Sequence, residues 1–340
     1  MKRLGKIFPL ALIAACSANN FEQELPNLDF TGMEQQVVDK IDSLQSAAGL
    51  SPDSAEVWGR IGMNLYIHDL RTEAAPYFER AAKLDGNAFK WPYLLAYTYD
   101  VLHDPRSVDW YARSLPLRAN FAPVHVRYGE ALLKAGRIEE AETAFQQAAE
   151  LHPKTAQSLL GLAQIAFSRK DYERSLDFVN KALRQNPRYG EAYGLLATVH
   201  RRMGAQEKSN VAMEKARMFP ADTKLRDPVI SEMIKEGVSV YWYKYRAREF
   251  ASRARFNAAI HEYNQALKYK ASADTHVQLG RIYQILGRLP AAAEQLLHAL
   301  NLNPDDLGVM RILLGVYKKS GQGKLARDLE KKINQLENRT

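Results

Sequence analysis

Few residues in the chain have the types and spacing that chemistry needs. His261-Glu262 starts the pattern in which two imidazoles one helical turn apart hold zinc, but position 265 is glutamine, so the second ligand is missing. Gly321-Gln322-Gly323 lacks both the preceding strand and the third glycine of a dinucleotide loop, and no phosphate-loop motif occurs. The eight histidines are scattered with no ligand-like pair at helical spacing. Serine, histidine and aspartate are all present, but no spacing assembles them into a nucleophile with its base. The sequence therefore reads as non-catalytic, with no metal site and no cofactor. One reactive group stands apart: Cys16, the single cysteine in 340 residues.

The surroundings of Cys16 say what its thiol is for. Lys2, Arg3 and Lys6 form a positive region, Ile7 to Ala15 is a nine-residue apolar run, and Ala14 and Ala15 are small. Nine residues are too few to span a bilayer, which takes about twenty. The run Ile13-Ala14-Ala15-Cys16 resembles the lipobox of bacterial lipoproteins. That resemblance implies a signal peptide over 1–15, a diacylglyceryl group on the Cys16 thiol, and cleavage that makes Cys16 the first mature residue. Ser17, rather than aspartate, follows the cysteine, which by the same resemblance implies sorting to the outer membrane of a Gram-negative cell, facing the periplasm. Each buried methylene contributes about 0.8 kcal/mol, and more than one chain gives stable anchoring. An ordinary secretory signal cleaved nearby is the rival reading. A buried structural thiol is the third, and the polar Ser17-Ala18-Asn19-Asn20 argues against it.

Composition frames the rest. An apolar fraction of 46% and a charged fraction of 25% are those of a globular chain. A single cysteine excludes internal disulfides and cysteine-based structural zinc. The net charge of +8 includes the three cations before Cys16, leaving 44 basic against 39 acidic residues. So mild a bias does not point to nucleic acid.

Position 30 closes a polar stretch, "SANNFEQELPNLDF", that reads with Cys16 as a tether over 16–32. A capping helix follows over 33–54, where Val37, Val38, Ile41 and Leu44 recur at helical spacing. Beyond it the chain repeats itself. Ala81, Ser114, Ala148, Ala182, Ala216, Ala266, Ala299 and Ile333 are separated by 33, 34, 34, 34, 50, 33 and 34 residues. Gly136 and Gly204, Gly287 and Gly321, and Pro153 and Pro187 keep the same beat. In the unit from Ala122 the recurring residues are His125, Tyr128-Gly129, Leu132, Ala141, Phe145, Ala148 and Pro153; in the unit from Ala55 they are Trp58, Ile61-Gly62, Leu65, Ala74, Phe78, Ala81 and Gly86. This pattern resembles the tetratricopeptide repeat. The resemblance implies an all-α fold, an α-solenoid of about eight helix-turn-helix units in a right-handed superhelix. Units begin near 55, 89, 122, 156, 190, 240, 273 and 307, which gives repeats one to five over 55–220 and six to eight, with a C-terminal cap, over 240–340. The 50-residue interval marks an irregular connector at 221–239. There Asp227-Pro228 has the form of an N-cap with proline at the first helical position, and the stripe Ile230, Ile234, Val238, Tyr241, Tyr245 predicts a long helix opening the sixth repeat. Arg246 stands in that repeat where an apolar residue belongs.

Such arrays bind other proteins along a groove lined by the first helix of each unit. By resemblance the groove-facing places include Tyr66, Tyr93, Tyr97, Glu130 and Phe167 in the first half, aromatic and mixed. In the second half they include Tyr241, Lys244, Arg248, Arg281, Arg311 and Lys318, which makes that half positive and suits an anionic peptide. The expected partners are proteins or peptides of the cell envelope, and a membrane through the lipid, with no nucleic acid or small-molecule substrate. The function expected is a membrane-anchored scaffold or adaptor. A companion role for a periplasmic redox or secreted enzyme system is the alternative.

Overall fold

Left-handed backbone turns recur at one place in every hairpin of this chain. In a computed structural model that describes residues 25–219 and 225–338, φ is positive at Asp69, His103, Gly136, Lys170, Gly204, Ala254, Gly287 and Gly321. Each lies between two helices of a pair. A helix that ends in a left-handed residue reverses direction over two or three residues, so the next helix folds back on the last.

The described residues form α-helices with no strand. α1 (Gln35–Leu50) precedes five hairpins: α2 (Ala55–Ile67) with α3 (Arg71–Leu84), α4 (Lys90–Val101) with α5 (Arg106–Ser114), α6 (Ala122–Lys134) with α7 (Ile138–Leu151), α8 (Ala156–Ser168) with α9 (Tyr172–Gln185), and α10 (Gly190–Arg202) with α11 (Gln206–Met218). A short helix, α12 (Pro228–Lys235), comes next. Three more hairpins end the fold: α13 (Val240–Ser252) with α14 (Phe256–Tyr269), α15 (Ala273–Ile285) with α16 (Leu289–Leu302), and α17 (Leu307–Lys319) with α18 (Gly323–Glu337). The eight units of the sequence are eight hairpins, an α-solenoid of tetratricopeptide type.

Local chemistry sets the starts. Ser54, Asp171, Ser272 and Asp306 each accept a backbone N–H from the first turn of the helix that follows. Small residues then let helices close on large ones. A Cβ added at Gly161 would lie 2.4 Å from the Phe145 ring, and one at Gly62 would lie 2.9 Å from Phe78. The phased small residues of the second helices are buried from Ala81 to Ala182 and again at Ala266 and Ala299. No hairpin has a core of its own; the buried side chains run from unit to unit.

The connector differs from the long helix that the stripe predicts. Ile230 and Ile234 lie on α12, whereas Tyr241 and Tyr245 lie on α13, and Glu236–Ser239 separate the two. Two features end α12 there. Gly237 passes so close to Trp242 that a Cβ would sit 2.5 Å from its ring, and the Ser239 hydroxyl accepts from Trp242 N–H to start α13 anew. Asp227 caps α12 as the sequence suggests, accepting from Val229 and Ile230 N–H.

Nor does the sixth hairpin stack on the fifth. Among the described residues α11 packs on α10, while α12 packs on α2 and α4. The start of α13 sits at the opposite end of the first array: Trp242 Nε1 donates to the Ile67 carbonyl at 2.7 Å and Val240 N–H to Glu34 at 3.0 Å. The phase of the repeat survives the insertion, but the stack does not.

Candidate binding groove

First helices of neighbouring units touch one another, α4 with α6, α6 with α8 and α8 with α10, and no pair of second helices packs to the same extent among the described residues. The first helices therefore line the inside of the curve. Along α2, α4 and α6 that inner face is filled by α12.

Three cations from three successive hairpins meet three carboxylates of the connector, in reverse order along the chain. Arg60 on α2 holds Glu236 with two bonds, Nε to Oε1 at 3.0 Å and Nη2 to Oε2 at 3.1 Å, and Asn64 Nδ2 adds a third at 3.3 Å. Lys90 on α4 lies 3.1 Å from Glu232 and 3.0 Å from Glu56. Arg127 on α6 lies 3.4 Å from Asp227 and donates at 2.9 Å to the Tyr93 hydroxyl, which itself donates to Asp227. Between these pairs Val229 and Met233 are buried against the first array, with Ile230 packed beside them. A paired guanidinium and carboxylate give direction as well as attraction, so the ladder fixes the register of α12.

Burial and charge compete at these groups. Burial raises the Glu236 carboxyl, but Arg60, Lys40 and Asn64 outweigh it and hold the pKa below the usual range. His68 accepts Val238 N–H at 3.5 Å through Nε2, and burial lowers its pKa to about 4. Glu130 makes no hydrogen bond or ion pair among the described residues; burial raises its pKa to about 7, with Asp100 and Glu191 adding and Arg127 and Lys134 opposing.

The residues picked from the sequence fall into different settings. Tyr93 is fully buried beneath the connector, and Tyr66 is buried with its ring 5.5 Å from that of half-buried Tyr97, over which Arg127 lies at 4.4 Å. Glu130 lines a 370 Å³ cleft with Gln164 and Glu191. Phe167 packs on Tyr172 of its own hairpin at 5.6 Å. In the second array Tyr241 is 63% exposed. The second-half cations do not form a free positive strip. Lys244 lies 2.8 Å and Arg248 3.8 Å from Asp274, Arg311 lies 2.6 Å from Glu337, and Lys318 lies 3.0 Å from Glu330. Arg281 is exposed in a 450 Å³ cleft that also contains Asp274 and Asp306. Spacing along one helix shows which side chains share a face, but the acids that neutralise them come from α15 and α18.

Sequence reasoning missed the residues that grip α12. Lys90 lies one turn before Tyr93 on the same face of α4, and Arg60 and Arg127 come from α2 and α6, where the length of arginine lets them reach inward. The signal was there in the acids at 227, 232 and 236. Arg246, the odd residue of the sixth repeat, is also explained. It is buried, pairs with Glu262 at 2.8 Å, and donates to the carbonyls of Ile234 and Gly237 at the end of α12.

Among the described residues no group of three or more histidine, cysteine, aspartate or glutamate side chains could hold a metal ion, and no helix is long and apolar enough to cross a membrane. Cys16, with the signal and most of the tether, lies outside the described residues.

A family model described as tetratricopeptide repeat matches residues 128–190, and a second with that description matches 273–306. Among curated proteins the chain is 26% identical over 199 residues to protein O-mannosyl-transferase TMTC1 of Homo sapiens, a match that covers 58% of this chain and 21% of that protein. It is 26% identical over 168 residues to a TPR repeat-containing protein of Methanocaldococcus jannaschii, covering 46% of this chain and 27% of that one. The chain thus spans about a quarter of the length of the curated relatives it matches, 21% and 27%. Among solved structures, a tetratricopeptide repeat protein from Parabacteroides merdae is 16% identical, with a TM-score of 0.49 over 69% of this chain and 87% of that one. Residues 128–190 and 273–306 are tetratricopeptide repeats, and the described chain is an α-solenoid of such helix-turn-helix units.

Proposed function

We propose that the chain is a non-catalytic protein-binding scaffold, tethered through lipid on Cys16 to the bacterial cell envelope, on the periplasmic side of the outer membrane. The observation that carries the binding role is the seat of α12: the inner face of α2, α4 and α6 holds a short helix by the three charge pairs and two buried apolar anchors. A face that holds one helix from within the chain has the chemistry to hold one from another protein. The tether rests on Lys2, Arg3, Lys6, the apolar run and Ile13-Ala14-Ala15-Cys16.

Growth of a bacterium expressing the full chain with a clickable fatty acid tests the tether. Wild-type protein takes up label and sediments with membranes, and Cys16→Ser does neither. Label that survives on Cys16→Ser, or wild-type protein recovered in the soluble fraction, overturns it. Capture of partners from solubilised envelope by the wild-type chain tests the scaffold role; an empty capture across envelope extracts contradicts it.

A further inference from the structure

The inner face of the first array is not vacant, and what fills it describes what it recognises. α12 has eight residues, too few to hold a helix in water unaided, so the groove keeps it folded. Its buried side carries Val229 and Met233, and its polar grip comes from Asp227, Glu232 and Glu236, spaced five and four residues apart. The opposing cations come one from each of three hairpins, so the receptor spans about three repeats and reads a sequence of charges rather than a single one.

We propose that the α2–α4–α6 face is a receptor for acidic amphipathic helices, and that α12 is a resident ligand which a partner helix of the same pattern displaces. The inference rests on the protein-binding reading above and is independent of the lipid tether. The partner carries three carboxylates at this spacing, with β-branched or methionine side chains between them. Two features make α12 exchangeable. Only two of its side chains are deeply buried, and its hold owes much to covalent attachment, which supplies an effective concentration of about millimolar. A free helix with the same contacts competes when it is longer or better anchored than α12.

Displacement would be felt by the second array. Arg246 on α13 donates to the carbonyls of Ile234 and Gly237, and Trp242 to that of Ile67. When α12 leaves, the first two contacts go with it, which leaves the last three hairpins held to the first array by fewer bonds, those of Trp242 and Val240 among them. Partner binding is thereby coupled to the placement of repeats six to eight.

The test uses the full chain and a fluorescein-labelled synthetic peptide of residues 225–238, read by anisotropy. In the protein variant Asp227→Asn/Glu232→Gln/Glu236→Gln the resident helix is weakened while the receptor is untouched. This variant is expected to bind the peptide at least tenfold more tightly than wild-type protein does. A peptide carrying the same three substitutions is expected to lose that gain, as is the protein variant with Arg60→Ala and Arg127→Ala added. Equal binding by wild-type and variant protein, or binding indifferent to the arginines, overturns the proposal. Glu236→Gln alone is the milder variant should the triple one lose helical circular dichroism; it is expected to show the same direction, and no gain from it also counts against the proposal. Failure here, with envelope partners still captured by the wild-type chain, removes the acidic-helix receptor and leaves the scaffold reading standing.

Discussion

Tyr93 and Asp227, 134 residues apart in sequence, share a buried hydrogen bond in which the phenol donates to the carboxylate that also caps α12 and faces Arg127. One side chain thus caps the start of a helix, satisfies a buried hydroxyl and balances a partly buried guanidinium. Asp227→Ala removes all three and leaves Arg127 without its anion, a loss expected to cost about 3–5 kcal/mol. Asp227→Asn keeps the cap and is expected to cost less. Urea unfolding of the two variants measures this; a loss under about 0.5 kcal/mol for alanine would mean that the pair carries no weight.

Buried Arg246 and partly buried Glu262 form a second charge pair, 2.8 Å apart. Arg246→Met restores the apolar residue typical of the place but strands Glu262, and is expected to destabilise by about 3 kcal/mol. Adding Glu262→Leu removes the stranded charge and is expected to recover most of that loss. A double variant no better than the single one contradicts the pairing.

The left-handed turn position gives mirror-image expectations. Gly287 and Ala254 occupy equivalent places with φ of +71° and +56°, and a Cβ at Gly287 would meet nothing within 4 Å. Backbone preference alone is at stake, so Gly287→Ala is expected to cost about 1 kcal/mol and Ala254→Gly to add about 0.5–1 kcal/mol. Thermal unfolding reads both signs, and equal signs would refute the argument.

Two partly buried groups make stability depend on pH in opposite senses. Glu130, raised to about 7 by burial, binds a proton more tightly when folded, so the stability it gives is full below its usual carboxylate range and falls as pH rises toward 7. Glu130→Gln is expected to match wild type near pH 4 and to exceed it by about 1–3 kcal/mol at pH 8. His68, lowered to about 4 by burial, binds a proton less tightly when folded, so stability is lost as pH falls from 6.5 toward 4. NMR titration of its imidazole is expected to give a midpoint near 4, and a midpoint near 6.5 contradicts the burial.

The repeating part of the fold was legible because its cause is periodic. Small residues such as Ala81, Ala148 and Ala299 must recur wherever two helices meet closely, and they do so in the sequence as in the structure. The seat of the connector was not legible in the same way. The pairing of Glu236 with Arg60 spans 176 residues and follows no period, so nothing in the repeat announces it. Likewise Arg311 and Lys318 share a helix with nothing to announce Glu337 and Glu330 on the next. Periodicity reports what each unit does identically; the groove is made where units differ.

Hydrogen exchange on the full chain puts the central claim to its most direct test, because an eight-residue helix free in water exchanges at nearly the rate of unfolded chain. If the groove of α2, α4 and α6 holds α12, the amides of Ser231 to Lys235 will exchange within about tenfold of those in α4, and substitution of Arg60 and Arg127 by alanine will strip that protection. Amides of α12 that exchange at free-chain rates in the wild-type protein, while α4 stays protected, would show that the groove does not hold it.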